Sequence, residues 1–151
     1  MKRITYLLGF VVIGILVSCE KEVESTITAD NTALADVTGH WEVTAYNDSL
    51  LIFGPFKVIT LEDPSAQSDS ITIQDTEVKF WKFQTKAFLD KNDGTFQTEL
   101  SKCEVSEEAI GIKISNGIIF NSDSIYFEIQ FEDDITPFEN TYKLKGHRIK
   151  G

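Results

Sequence analysis

The chain has 151 residues, a formal net charge of −10 and 42% hydrophobic residues. An acidic balance of this size excludes a nucleic-acid partner, which needs clustered Lys and Arg to neutralise phosphate. The length suits one domain, and a body of this size buries roughly two-thirds of its unfolded surface without disulfide staples.

The chain begins with a basic Met1-Lys2-Arg3 and continues with an apolar run from Ile4 to Val17. This is the layout of a secretory signal. The run is too short for a transmembrane anchor, which needs about 20 residues. It ends in Leu16-Val17-Ser18-Cys19, which resembles the lipobox of bacterial lipoproteins. The resemblance implies removal of residues 1–18 as a signal peptide and acylation of Cys19. An ordinary signal with an incidental cysteine is the alternative. Two or three acyl chains hold a protein far more firmly than one, at about 0.8 kcal/mol for each buried CH₂. The resemblance therefore implies an exported protein, anchored through Cys19 in the bacterial outer membrane. Cleavage removes Lys2 and Arg3 and no acid, which takes the net charge to −12. Only Cys103 then remains, so no internal disulfide forms. Its setting, Leu100-Ser-Lys-Cys-Glu-Val-Ser106, reads as a strand with Cys103 as a small buried hydrophobe.

Residues 19–36 form the next unit. Glu20 to Asp36 is polar and has no aromatic residue, so it reads as a flexible acidic tether. Glu20-Lys-Glu-Val-Glu24, directly behind Cys19, is similar to acidic export signals of surface lipoproteins, and a solvated linker explains the same composition.

Residues 37–151 form the folded domain, and its pattern has period two. Trp41, Val43 and Ala45 alternate with polar neighbours, as do Ile110, Ile112 and Ile114, then Ile125, Phe127, Ile129 and Phe131, then Tyr142, Leu144 and Arg148. One buried and one wet face is the mark of antiparallel strands. Turn signals at 63–69, 90–94, 116–117 and 121–124 divide the domain into strands near 40–46, 55–62, 70–74, 77–88, 95–99, 102–105, 109–115, 118–121, 124–132 and 141–149. Asn116-Gly117 reads as a two-residue hairpin turn. The expected fold is all-β: an antiparallel meander of about 8–10 strands closing into a lipocalin-like barrel, with a two-sheet sandwich as the alternative.

Gly39-His40-Trp41 opens the first strand and resembles the Gly-x-Trp signature of lipocalins, which place an arginine of the last strand across that ring. Arg148 occupies the matching place, with the same inward parity as Trp41. A guanidinium over an indole contributes about 0.5–2 kcal/mol. Gly39, Trp41 and Arg148 are thus the expected barrel closure.

Gly39-His-Trp-Glu-Val-Thr44, Phe80-Trp-Lys-Phe83, Ser122 through Asp134 and Thr141 through Arg148 together resemble the family described as lipid-binding putative hydrolases, small bacterial lipoproteins with an all-β domain. The resemblance implies lipid binding and carries no catalytic residue across to this chain.

The residues themselves offer little catalytic chemistry. There is no Gly-x-Ser-x-Gly elbow, and the two histidines, His40 and His147, fall on the outward face of the first and last strands. No catalytic residue, metal ligand or cofactor is assigned. Asp90-Lys-Asn-Asp-Gly94 lacks calcium-loop spacing and reads as a turn, as do Glu107-Glu108 and Asp133-Asp134. Phe80 and Trp81, adjacent on a predicted strand, are expected to face opposite sides. An eight-stranded barrel either holds one small ligand or is filled by its own side chains. The leading reading is an apolar ligand lined by Phe80, Ile112, Ile125, Phe127, Ile129, Phe131 and Tyr142. The second is a filled barrel that docks on another envelope protein, and the third is a lipid or ester hydrolase.

Overall fold

The computed structural model describes residues 36–65, 69–75 and 77–151. The predicted signal, Cys19 and the tether as far as residue 35 lie outside them.

Period-two alternation produces eight strands: β1 (Gly39–Asn47), β2 (Leu50–Glu62), β3 (Ser70–Asp75), β4 (Gln84–Asp90), β5 (Thr95–Lys102), β6 (Gly111–Phe120), β7 (Ser124–Phe131) and β8 (Tyr142–Arg148). Each pairs antiparallel with the next, and β8 pairs with β1, so the sheet closes into a barrel. The fold is the all-β, lipocalin-like barrel expected, and closure excludes the sandwich. Inward positions follow the alternation. Trp41, Val43 and Ala45 of β1, Ile71 and Ile73 of β3, and Ile125, Phe127, Ile129 and Phe131 of β7 are all buried. Burying one large apolar side chain contributes about 1.5–3 kcal/mol, so this inner column dominates the stability of the domain.

Three local expectations are corrected. Asn116-Gly117 is not a hairpin turn, because β6 runs straight through it from Gly111 to Phe120. Asn116 does take the left-handed conformation that the dipeptide favours, with φ of 52°. That conformation makes a bulge, where the pairing of β6 with β7 shifts between Ser115 and Ile118. The bulge switches the inward set from Ile112 and Ile114 to Gly117 and Ile119. Gly117 suits it because a β-carbon there would collide with the Phe96 backbone and ring. Second, β5 runs on from the predicted 95–99 to end at Lys102, with an irregularity between Thr98 and Ser101, so the separate strand predicted at 102–105 does not form and residues 103–105 lie in the β5–β6 connection. The merger in β6 and the loss of the 102–105 strand bring ten predicted strands to eight.

Third, the strand predicted over 77–88 begins only at Gln84. The cause is Asp75, which is 4% exposed at the end of β3. Its carboxylate accepts the backbone N–H of Glu77 at 3.1 Å, Lys79 at 3.0 Å, Phe80 at 2.9 Å and Trp81 at 3.4 Å. A buried carboxylate with that many amide donors is satisfied, and it winds the chain into a compact loop instead of extending it.

Candidate functional site

The alternation of strand direction gives the barrel two different ends. The start of β1 and the end of β8 share one end with the β2–β3, β4–β5 and β6–β7 connections. The opposite end carries the β1–β2, β3–β4, β5–β6 and β7–β8 connections.

The first end is closed by Trp41 and Arg148, which face each other in the β1–β8 pairing. The Arg148 guanidinium lies 4.5 Å from the centre of the Trp41 ring. It donates to the carbonyls of Ser122 and Asp36 and, at 2.7 Å, to that of Thr38. The Asp36 carboxylate sits 3.5 Å from it. The fixed fork of arginine donors suits three backbone acceptors at once. Below it, Trp41 Nε1 donates to Thr60 Oγ1 at 2.7 Å, and that hydroxyl donates to the Val37 carbonyl at 2.6 Å. Gly39 suits this close approach, because a β-carbon there would strike the guanidinium and push it aside.

The second end is closed by rings. The loop wound around Asp75 delivers Phe80 and Trp81 side by side, so the expectation that they face opposite sides is corrected. Trp81 stacks on Phe131 at 4.3 Å with the planes 2° apart. Phe80 packs against Tyr142 at 5.3 Å, Phe56 at 5.3 Å and Phe53 at 6.2 Å. Trp81 Nε1 donates to the Asp133 carboxylate at 3.1 Å, in an exposed position.

Tyr142 and Asp134 tie the β7–β8 loop to this cluster. The Tyr142 hydroxyl donates to Asp134 at 2.9 Å, and Asp134 also accepts from the Asn140 amide at 3.0 Å and the Ile135 N–H at 2.7 Å. Burial, then the bond to Asp134 and its charge, push Tyr142 up to about 12. Burial pulls the Asp134 carboxyl upward, but the donors from Asn140, Ile135 and Tyr142 outweigh it and hold the group below its ordinary value.

The residues expected to line a ligand occupy a column along the barrel. Ile112, Ile125, Phe127, Ile129 and Phe131 are all buried in the core, and Tyr142 is buried at the ring-closed end. Phe80 meets Phe131 and Tyr142 there. Ile125, opposite Gly146 near the Arg148 end, lies far from them along β7. Cys103 is buried, with its thiol against the Lys82 carbonyl at 3.5 Å. Burial raises that thiol's pKa, yet the backbone N–H groups of Gln84, Val105 and Ser106 and the Ser106 hydroxyl bring it below the ordinary value.

His40 and His147 are exposed on the outer wall, His147 with Glu42 at 3.8 Å. Among the described residues, no three His, Cys, Asp or Glu side chains are grouped to hold a metal ion. Sequence reasoning missed Asp75, whose signal is its parity. It falls on the same face of β3 as Ile71 and Ile73 and so points inward. Asp133 and Asp134, read as a solvated turn, are the acceptors of Trp81 and Tyr142.

Residues 27–151 match the family described as lipid-binding putative hydrolase. The chain belongs to that family. The family and the closed barrel together fit a lipid-binding role. No curated protein matches the chain.

Proposed function

We infer that this member of the family is an envelope lipoprotein, held in the outer membrane through Cys19, that binds a lipid or another small apolar ligand under the Phe80–Trp81 loop. The carrying observation is the contrast in how that end is closed. Rings in contact cover the apolar column, and two of them, Phe80 and Trp81, sit on an irregular loop. Ring contacts contribute about 0.5–1.5 kcal/mol each beyond area burial, so an acyl chain that replaces them can compensate for their displacement. The lipobox supports the anchor. Asp36, the first described residue, lies beside Arg148, so the tether would join the barrel at the opposite end from the rings. Sixteen residues separate Cys19 from Asp36, and a chain of that length spans at most ~60 Å. That is enough slack for the ring-closed end to turn toward the membrane.

A second reading rests on a different observation. Leu50, Leu51, Ile52 and Phe53 at the start of β2 are consecutive and 39–68% exposed. Four such residues in a row suit contact with an envelope protein.

The test is native mass spectrometry on the chain purified from a bacterial membrane fraction, with lipid extraction and mapping of the N-terminal peptide. A diacylated Cys19 peptide and a stoichiometric co-purified lipid are the expected results. An unmodified Cys19 peptide removes the anchor. A ligand-free mass, with no uptake of a fluorescent fatty acid, removes lipid binding and leaves the protein-partner reading.

A further inference from the structure

Beside the ring cluster lies an open cleft of about 570 Å³, walled by Phe80, Trp81 and Ile110 and lined by Lys82, Glu107 and Asp133. Ser106 completes it, its hydroxyl donating to the Glu108 carbonyl. This volume is in the range of small-molecule sites. Three separate connections build it. Residues 80–82 come from the β3–β4 loop, 106–110 from the β5–β6 connection and Asp133 from the β7–β8 connection. Among the described residues, neither the Lys82 ammonium nor the Glu107 carboxylate forms an ion pair. Asp133 accepts the Trp81 N–H and keeps lone pairs to spare, since a carboxylate offers about four acceptor sites. The cleft therefore presents both signs of charge against an aromatic wall.

That combination selects a particular chemistry. A cation is drawn to carboxylates beside aromatic rings, and a phosphate to an ammonium. A ligand of one sign alone would leave Lys82 or the carboxylate pair opposed. We propose that this cleft takes the zwitterionic head group of a phospholipid, its ammonium toward Asp133, Glu107 and the rings and its phosphate toward Lys82. This deepens the lipid-binding reading and rests on it. The head group is held outside the barrel, while the acyl chain reaches the apolar column beneath Phe80.

The test uses the full chain and four probes: short-chain phosphatidylethanolamine, phosphatidylglycerol and diacylglycerol with the same acyl chains, and chain-free glycerophosphoethanolamine. Binding is read by calorimetry and by tryptophan emission, with Trp81→Phe identifying the part of the signal that reports the cleft. Phosphatidylethanolamine is expected to bind about tenfold more tightly than the other two lipids. Glu107→Gln with Asp133→Asn should remove that preference and leave diacylglycerol binding unchanged. Both positions are exposed and both replacements keep an acceptor, so the variants should melt with the parent. Equal binding of all three lipids, unmoved by the double variant, overturns the head-group site and leaves lipid binding standing. Glycerophosphoethanolamine binding as tightly as the lipid overturns the lipid as the source. No binding of any lipid overturns both readings.

Discussion

Each end of this barrel is closed around a tryptophan, and the two closures use opposite physics. Trp41 gives its N–H to a buried hydroxyl and carries a guanidinium bonded to three backbone carbonyls. The Trp81 side chain gives its N–H to an exposed carboxylate and otherwise packs on rings, while the backbone of its loop is tied to the buried Asp75 carboxylate. Charge-assisted bonds to backbone are directional and lose much when one partner moves. Ring contacts are shallow and tolerate sliding. The first end therefore fixes β1 to β8, whereas at the second the rings can shift over one another without breaking the sheet or the loop's backbone bonds to Asp75.

The sharpest way to break this comparison is Arg148→Ala. It removes the cation–π contact and three hydrogen bonds, so the expected loss of stability is about 3 kcal/mol, read as a lowered midpoint in urea. A loss below about 1 kcal/mol would mean that the seam holds without the lock. Phe80→Ala comes next. The ring is half-buried, so the expected cost is about 2 kcal/mol, below the range for a fully buried phenylalanine. Unlike Arg148→Ala, it should also speed uptake of a fluorescent fatty acid. Slower or unchanged uptake would place the entrance elsewhere. Gly39→Ala should cost about 1 kcal/mol by pushing the guanidinium off the Trp41 ring. In an Arg148→Ala background the same change should cost close to nothing, because the group it strikes is gone.

The two ends also differ in how far the sequence discloses them. Trp41 and Arg148 sit on regular strands, so parity places both inward, and Gly-x-Trp marks where the barrel starts. Phe80 and Trp81 sit where a strand pattern is interrupted. Apolar spacing over 77–88 looks extended, but one inward carboxylate, Asp75, gathers four backbone donors and winds the segment into a loop. Alternation carries no information about that competition. Asn116-Gly117 fails for a related reason. The dipeptide specifies a left-handed residue, and both a hairpin and a bulge can use one. Pairing partners far along the chain decide between them, here Phe96 and Tyr126 across β6. The acceptors Asp133 and Asp134 lie on a loop, where neither period nor parity applies.

The smallest expected effect concerns protons at the ring-closed end, and it comes with an internal control. The Asp134 carboxyl titrates below its ordinary value in the folded chain. The unfolded chain therefore binds that proton more readily, and the group stabilises the fold above about pH 4. This contribution fades as pH falls through the folded value, so thermal midpoints should drop on acidification, and Asp134→Asn should flatten that part of the curve. Tyr142 works in the opposite direction. Its folded value, about 12, lies above the ordinary value near 10, so its contribution is complete below about pH 10 and is lost as pH rises through about 12. Tyr126 on the outer wall is also raised to about 12, by burial and by Glu128, to which its hydroxyl donates at 2.6 Å. Ultraviolet titration should show a late tyrosinate component that Tyr142→Phe and Tyr126→Phe each reduce. If Tyr142 governs the ring-closed end, a bound lipid should shift only the component that Tyr142→Phe removes. A shift in the Tyr126 component as well would mean that the ligand loosens or tightens the whole barrel, and the division of labour between its ends would fail.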